Sequence, residues 1–426
     1  MQENKIEKIN LWGRFKKSFG PGVVTGIADD DPSGISTYAQ TGILFGFTQL
    51  WVVLFSLPFM ITIQEMCARI GMTTGKGLAQ IIRLHYSRKI LVVIVTLLCI
   101  ANIFNIGADL GAMAASAQLV IPLPFWMWII GLTLLTLLLE ISIPYPTYVK
   151  FLKYFAASIL AYVIVAFMIK QDWKDIALAT FIPHIVFSKA YLFNIIAFLG
   201  TTISPYLFFW QADEEIEEEL ANGKLRSMGK GMPKIGSSDV KQMRSDTALG
   251  MFLSNMISFF IIITTASTLS GHGITDAGTA AQVASALRPL AGDYASLLFA
   301  LGVLGTGLLA IPVLAGSAAY AIAETFGWKE GLGKEFAQAK GFYGAIIVAT
   351  LIGIMFSLSS IDPMLMLYYA ALLNGLLAPP LMVMIILIAN NKEILGKYVN
   401  GKLSNILGWI ITLIMGAMSI LYFVTL

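Results

Sequence analysis

A succession of long apolar runs constrains the fold of this chain more than any other feature. A helix that crosses a bilayer needs about 20 consecutive apolar residues. Runs of this kind lie near residues 19–45, 48–70, 89–117, 123–143, 149–170, 188–211, 245–268, 292–324, 342–359, 363–389 and 404–424. Only 12% of the 426 residues are charged, whereas a soluble domain has roughly a quarter. The sequence therefore predicts an all-α polytopic membrane protein that forms one domain over residues 1–426.

Lysine and arginine are distributed unequally over the segments between these runs. If the N-terminus is cytoplasmic, the cytoplasmic segments hold the basic residues near 5–17, 76–89, 150–153, 224–244, 329–340 and 392–402. The outer segments then hold only Lys170, Lys174, Lys189 and Arg288. Because positive charge marks the cytoplasmic side, we predict a multi-pass protein of the plasma (inner) membrane, with a cytoplasmic N-terminus and an extracellular C-terminus.

The predicted partners follow from composition and charge. The lipid bilayer surrounds the apolar spans, and a net charge of +3 gives no reason to expect nucleic acid. Nothing in the sequence identifies a protein partner.

The longest polar segment is predicted to be a cytoplasmic loop at about 212–245. It begins with an acidic run, Asp213–Leu220, that continues directly from the sixth apolar run. We favour a helix end that emerges into the cytosol with solvated charges over a regulatory cation site. Glu140 and Glu324 lie near the ends of apolar runs, and solvated or snorkelling positions are expected for them as well.

The first apolar run is interrupted near its midpoint by Asp29, Asp30, Asp31, Pro32 and Gly34. Pro32 lacks an amide hydrogen and clashes with the preceding turn, and Gly34 tolerates backbone angles that other residues avoid. Non-helical backbone in a bilayer is tolerated only where it is buried in protein or lines a watery cavity. An ionisable residue at that depth marks a functional site by default. We therefore predict a cation site at this break.

Pro205 interrupts the sixth run near its middle, as Pro32 interrupts the first. The two spans correspond if spans one to five (about 19–170) and six to ten (about 188–389) form two repeats, followed by an eleventh span at about 404–424. Broken helices at matching positions of two halves point to a transport site at the bilayer midplane. The substrate is therefore expected between the first and sixth spans.

These motifs resemble those of the natural resistance-associated macrophage protein (Nramp) family of divalent-metal transporters. The family's first helix carries Asp-Pro-Gly-Asn, where this chain has Asp31–Gly34, preceded by Gly20–Gly22 as in the family. Its sixth helix carries Ala-x-x-Met-Pro-His, where this chain has Thr201–Tyr206, and the second-span stretch Gln64–Gly71 is similar too. The resemblance covers nearly the whole chain. It implies a LeuT-type 5+5 inverted repeat with broken helices 1 and 6, an eleventh helix, and alternating access around a metal.

The resemblance also implies which residues bind the substrate. In the family the metal is held by the Asp, the Asn, the Met sulfur and nearby carbonyls, and the tenth helix contributes a polar side chain. Carried over by position, these are Asp31, Gly34 in place of Asn, Ser204 in place of Met, Thr201, Ala28, Tyr206 and, in the tenth span, Asn374.

The departures from the family motif predict the metal. Thioether sulfur favours soft metals, whereas carboxylate, carbonyl, hydroxyl and water suit Mg²⁺, Ca²⁺ and Mn²⁺. Losing the sulfur and the Asn side chain makes the site harder and wider, which suits Mg²⁺ because this ion usually keeps several waters. The pattern resembles the Nramp-related magnesium transporters, a prokaryotic branch, and implies Mg²⁺ as the transported ion, with Mn²⁺ second. No cofactor is expected.

The family's proton route is altered as well. Its helix 6 histidine is Tyr206 here, which does not titrate near neutral pH, and two acids of its third helix match Asn102 and Asn105. We therefore predict transport without proton coupling. Asp109 lies one turn after Asn105. It is either a residual proton or cation group or a partner for a polar group inside the bundle, and we slightly favour the second.

Asp31 is the aspartate that we expect to bind the ion directly. Successive helical residues point about 100° apart, so three consecutive aspartates cannot all face one ion. Asp29 and Asp30 are expected around the site or in its vestibule, together with Asn102, Asn105 and Asp109. Glu65 and Arg69, spaced i, i+4 with the acid first, predict an ion pair within the second span.

Three other functions compete with uncoupled Mg²⁺ transport. A proton-coupled Mn²⁺/Fe²⁺ transporter of the standard type is disfavoured by Ser204, Tyr206, Asn102 and Asn105. A LeuT-fold carrier of an organic substrate would present helix N-termini to an anionic group, against which the three aspartates argue. A non-transporting metal sensor would need a sizeable output domain. No nucleophile–base set is visible, so an enzyme is not expected.

Overall fold

The computed structural model describes residues 20–143, 157–270 and 279–425. Its α-helices are α1 Pro21–Asp29, α2 Pro32–Phe45, α3 Leu50–Thr74, α4 Leu78–His85, α5 Arg88–Gln118, α6 Phe125–Ser142, α7 Ala161–Met168, α8 Trp173–Phe181, α9 Lys189–Thr202, α10 Pro205–Ala221, α11 Ser237–Leu269, α12 Ala280–Ser285, α13 Arg288–Ala291, α14 Ala295–Phe326, α15 Lys340–Ser357, α16 Pro363–Asn390, α17 Lys392–Leu395 and α18 Lys402–Thr425.

The prediction of an all-α polytopic membrane protein is confirmed. Within the described residues, nine helical segments are long and apolar enough to cross a membrane. The first predicted span is divided into α1 and α2, and the fifth is represented by the shorter apolar segment Ala157–Met168. The basic residues near 5–17 and 150–153, on which the predicted orientation partly depends, lie outside the described residues.

The two broken spans pack reciprocally at glycines. In the first half, α1 packs on α11, where a Cβ on Gly26 would lie 2.3 Å from the carbonyl oxygen of Gly250. In the second, α10 packs on α3, where a Cβ on Gly71 would lie 2.0 Å from the carbonyl oxygen of Ala212. Small residues let membrane helices approach this closely. Span 1 thus packs on span 7 and span 6 on span 2, as an inverted repeat of five helices requires.

Asp246 of α11 caps the N-terminus of α1. Its Oδ1 accepts a hydrogen bond from the Gly20 amide at 3.0 Å, and its Oδ2 accepts one from the Gly22 amide at 2.7 Å. A carboxylate is favourable at a helix N-terminus because the helix dipole is positive there. The cap therefore ties the first half of span 1 to span 7.

The predicted ion pair on α3 is also part of a link between spans. Arg69 Nε lies 2.9 Å from Glu65 Oε1, and Arg244 Nε of α11 lies 2.8 Å from the same oxygen. Arg69 also donates to the carbonyl oxygen of Tyr398 and to Asn400 Oδ1. The pair therefore connects α3 to α11 and to the segment that precedes α18.

The connection between the sixth and seventh spans is shorter than the predicted loop at 212–245. Helix α10 continues to Ala221 and α11 begins at Ser237, so the connecting segment is 222–236. The helix continues through the acidic run because Ala212 packs on α3 and Ile216 is fully buried.

The prediction that the acidic run is solvated is wrong. Asp213, Glu215 and Glu219 are at most 2% exposed, and Glu324 and Glu140 are also buried, at 2% and 7%. Helix α10 lies against both α3 and α14. The charges are therefore covered by neighbouring helices, which a single apolar run does not reveal.

Candidate functional site

The break in the first span is built by Asp31 and Pro32. Helix α1 ends at Asp29 and α2 begins at Pro32, with Asp31 in extended conformation as its N-cap. Asp31 Oδ1 accepts a hydrogen bond from the Gly34 amide at 2.7 Å. Proline is well suited to the first position of a helix because it has no amide hydrogen to leave unpaired there. Asp31 and Pro32 therefore begin α2 directly after the break that follows α1.

The second carboxylate oxygen of Asp31 contacts two further helices, α5 and α10. Asp31 Oδ2 lies 3.2 Å from Asn105 Nδ2 of α5 and 3.3 Å from the Tyr206 hydroxyl of α10, both donors. The Tyr206 hydroxyl also lies 3.2 Å from the carbonyl oxygen of Ala28, at the end of α1. Asp31 itself is only 1% exposed. These contacts orient a buried carboxylate that faces both broken spans.

The break in the sixth span presents hydroxyl groups. Helix α9 ends at Thr202 and α10 begins at Pro205. Ser204 Oγ donates to the carbonyl oxygens of Gly200 and Thr201, at 2.8 and 2.7 Å. The Thr201 hydroxyl lies 3.2 Å from that of Ser33 in α2. The two breaks therefore meet through oxygen atoms.

Gly34 leaves little room for a side chain. A Cβ there would lie 3.2 Å from the carbonyl oxygen of Asp29 and 3.5 Å from Asp31 Oδ1. Its backbone amide is already bonded to Asp31. Gly34 thus lies directly beside Asp31, where a side chain would crowd the carboxylate.

Asp29 and Asp30 face a different helix from Asp31. Ser254 Oγ of α11 lies 2.6 Å from Asp29 Oδ2 and 3.3 Å from Asp30 Oδ1. Both aspartates are buried. They therefore contact span 7 through Ser254, which Asp31 does not.

The residues of the third span divide into three roles. Asn105 bonds to Asp31, whereas Asn102 Nδ2 donates to the carbonyl oxygen of Leu314 and to Ser317 Oγ, both in α14. Asp109 is fully buried, and neither carboxylate oxygen has a hydrogen-bond partner among the described residues. Asn102 therefore holds span 3 against span 8. The expectation that Asp109 pairs with a polar group inside the bundle is wrong, because no described residue donates to it.

Asn374 of α16 is buried, but the structure records no hydrogen bond between it and Asp31, and its Nδ2 has no partner in the described part of the chain. The tenth span instead reaches α2 through Ser36 and Gln40, which donate to the Met364 carbonyl oxygen at 3.0 and 3.4 Å. Sequence reasoning missed these two residues. Their i, i+4 spacing within an otherwise apolar helix was the available signal.

The arrangement offers a cation a buried set of hard oxygen ligands. The residues at both breaks supply carboxylate, hydroxyl and carbonyl oxygens, and all of them are buried. Across the described residues, no three His, Cys, Asp or Glu side chains form a metal-binding group. A cation at this site would therefore depend on one carboxylate, neutral oxygen atoms and retained water.

Known proteins are similar to this chain in sequence. The family described as natural resistance-associated macrophage protein-like matches residues 22–425. The chain is 24% identical over 417 residues to the divalent metal cation transporter MntH of Deinococcus radiodurans, an alignment covering 95% of this chain and 89% of that protein. It is 26% identical over 434 residues to the MntH of Clostridium acetobutylicum, covering 94% and 89%.

Solved structures are similar over almost the same length. The manganese transporter of Eremococcus coleocola, in complex with an aromatic bis-isothiourea substituted compound, superposes with a TM-score of 0.78 at 17% identity, covering 97% of this chain and 87% of that one. Mhp1, a nucleobase-cation-symport-1 family transporter, superposes with a TM-score of 0.55 at 12% identity, covering 95% and 92%. At these identities the similarity shows the fold.

Proposed function

The chain belongs to the natural resistance-associated macrophage protein-like family, and from this premise we propose that it carries a divalent metal cation across a membrane by alternating access. The observation that carries the proposal is the position of Asp31. Its carboxylate lies at the break of span 1 and contacts Tyr206 at the start of the second half of span 6. A charge buried at membrane depth is costly unless it serves a substrate or a partner.

We propose Mg²⁺ as the preferred substrate, with Mn²⁺ also carried. Ser204 and Gly34 stand where the family motif has a thioether and an amide, so the ligands beside Asp31 are hard oxygen atoms. Such ligands suit Mg²⁺ and Mn²⁺. Mg²⁺ usually keeps several of its waters and binds one or two carboxylates. The single carboxylate of Asp31, together with the neighbouring hydroxyl groups, is therefore enough to bind this ion.

We further propose that this transport is not coupled to protons. Asn105, which donates to Asp31, cannot carry a proton away, and Asn102 is engaged with span 8. No coupling is needed thermodynamically, because a divalent cation gains roughly 4–5 kcal/mol on crossing 100 mV inward. The cation enters through the side opposite to the Lys- and Arg-rich loops and leaves on their side.

A second candidate is proton-coupled Mn²⁺ transport, as in the standard members of the family. Asp109 favours it, because this buried acid lies one turn from Asn105 and has no hydrogen-bond donor among the described residues. It is the group that could accept a proton when a cation binds at Asp31.

Uptake into proteoliposomes that contain a pH-sensitive dye separates the two candidates. We expect Mg²⁺ uptake that leaves the internal pH unchanged. Internal acidification in proportion to metal uptake, abolished in Asp109→Asn, would instead establish the proton-coupled mechanism. Transport of neither Mg²⁺ nor Mn²⁺ would refute the proposed function as a whole.

A further inference from the structure

Two buried carboxylates in the acidic run of α10, Asp213 and Glu219, have no hydrogen-bond partner among the described residues, but Glu219 forms an ion pair with Lys224 at 3.6 Å. Glu215 accepts a hydrogen bond from Gln211 at 3.0 Å, and Glu217 accepts one from the Tyr320 hydroxyl at 2.8 Å. Asp213 is 0% exposed, and neither of its oxygens has a hydrogen-bond partner within the described ranges. A buried carboxylate without any donor is costly, so Asp213 calls for a partner of another kind.

Asp213 faces a second carboxylate, Glu324 of α14. A Cβ added to Gly77 would lie 2.4 Å from Asp213 Oδ1 and 2.1 Å from Glu324 Oε1. The two oxygens therefore share the small space that the missing side chain of Gly77 leaves. Glu324 Oε2 accepts a hydrogen bond from the Gln80 amide at 3.1 Å, but its Oε1 has no partner in the described chain.

Positive charge compensates this pair only in part. The ion pairs found among the described residues involve neither Asp213 nor Glu324. Close by, in the segment after α14, burial and the charge of Glu324 raise the pKa of Glu330 to about 9. Acidic groups are therefore gathered around the pair, and the basic residues Arg83 and Lys334 offset part of their charge.

We propose that Asp213 and Glu324 together bind a divalent cation, Mg²⁺, from the cytoplasmic side, at a site distinct from the transport site at Asp31. Mg²⁺ commonly binds one or two carboxylates while it keeps several of its waters. The cytoplasmic assignment rests on the proposed function and on the basic loops nearby.

Binding at this site regulates transport, because its two ligands lie on separate elements. Asp213 is on α10, about two turns from Tyr206 and on the same helical face, whereas Glu324 is on α14. Only the arrangement in which these helices pack together around Gly77 brings both oxygens to one ion. A ligand shifts a conformational equilibrium toward the state that it binds more tightly. Cytoplasmic Mg²⁺ therefore holds this end of the transporter closed, and loss of the ion removes the link that it forms between the two helices.

Calorimetry of Mg²⁺ binding to the purified full-length chain tests the site. We expect two sites in the unmodified protein, one in Asp31→Ala, and none in Asp31→Ala/Asp213→Asn. The matched control is Asp31→Ala/Glu218→Gln, which removes an exposed charge from the same helix and should retain one site. If Asp31→Ala alone binds no Mg²⁺, the proposed second site is wrong, whatever the transport activity of the unmodified protein.

Initial rates of Mn²⁺ uptake into proteoliposomes, with and without internal Mg²⁺, test the regulation. We expect internal Mg²⁺ to slow uptake by about fivefold or more, as is common for allosteric coupling. Asp213→Asn and Glu324→Gln should be insensitive, whereas Glu218→Gln should respond like the unmodified protein. Equal inhibition of all four proteins would place the internal ion at Asp31 and overturn the regulatory proposal. A protein that takes up no Mn²⁺ in any form would count against the transport function.

Discussion

Two buried acidic sites differ in what surrounds their carboxylates. We call Asp31, at the break of span 1, the first cluster, and Asp213 with Glu324 the second cluster. Asp31 lies among donors from three other sources, the Gly34 amide, Asn105 and Tyr206. Asp213 and Glu324 also meet at one point, yet their facing oxygens have no donor within the described residues. Donors fix the orientation of a carboxylate before any ion arrives. We therefore expect the first cluster to bind and release an ion repeatedly, and the proposed cation to stabilise the second cluster in its closed form.

The largest expected effect comes from removing the charge of the first cluster. Asp31→Ala should lower Mg²⁺ uptake by more than ~100-fold, since even the partners of a metal ligand contribute 10–100-fold. Uptake by proteoliposomes is the measurement, and Glu218→Gln is the control for the loss of one acidic residue. Retained Mg²⁺ flux in a folded Asp31→Ala protein would disprove the assignment of the transport site.

The donors around Asp31 can be removed without touching the carboxylate. Asn105→Ala should raise the KM for Mg²⁺ by roughly 10–100-fold, because Asp31 loses a donor that orients it. Asn102→Ala is the comparison, since Asn102 bonds to α14 instead of Asp31. We expect that variant to unfold at a lower temperature with a much smaller change in KM. Equal KM values for Asn105→Ala and the unmodified protein would show that the donor is dispensable.

The preference of the Asp31 site for hard ions can be tested by restoring a soft ligand. Ser204→Met restores a thioether at the position that the family motif assigns to one, and soft ligands favour the softer ion. We expect the ratio of Mn²⁺ to Mg²⁺ uptake, as kcat/KM, to rise about tenfold, which corresponds to ~1.4 kcal/mol. Competition uptake with both ions measures it. An unchanged ratio would mean that Ser204 does not contribute to ion preference.

The last expected effect is on stability rather than on transport, at the edge of the second cluster. Gly77→Ala places a Cβ between Asp213 and Glu324 and should destabilise the closed form by ~1–3 kcal/mol, the usual cost of overpacking. Thermal unfolding in detergent measures the loss. Gly401→Ala is the matched control, because a Cβ there would meet no atom within 4 Å. If both variants unfold at the same temperature, the space beside Gly77 is not as confined as the structure indicates.

Residues that act within one helix were predictable, and contacts between helices were not. Pro32 and Pro205 interrupt their helices by local chemistry, so the breaks could be read from the chain. The partners of Asp31 could be suggested only by resemblance, because Asn105 and Tyr206 reach it from other spans. Asn374 illustrates the limit, since it is buried in the tenth span but has no recorded hydrogen bond to Asp31.

The sequence by itself determined the class of this protein, the positions of its spans and the two breaks. Apolar length and proline act locally, and the bilayer leaves helices as the only form for such runs. The tertiary structure alone decided which carboxylates meet donors and which do not. The sequence predicts a solvated position for Asp213. Its side chain is buried beside Glu324 because α10 packs between α3 and α14. Burial and pairing depend on neighbours that are distant in the sequence, and no local pattern records them.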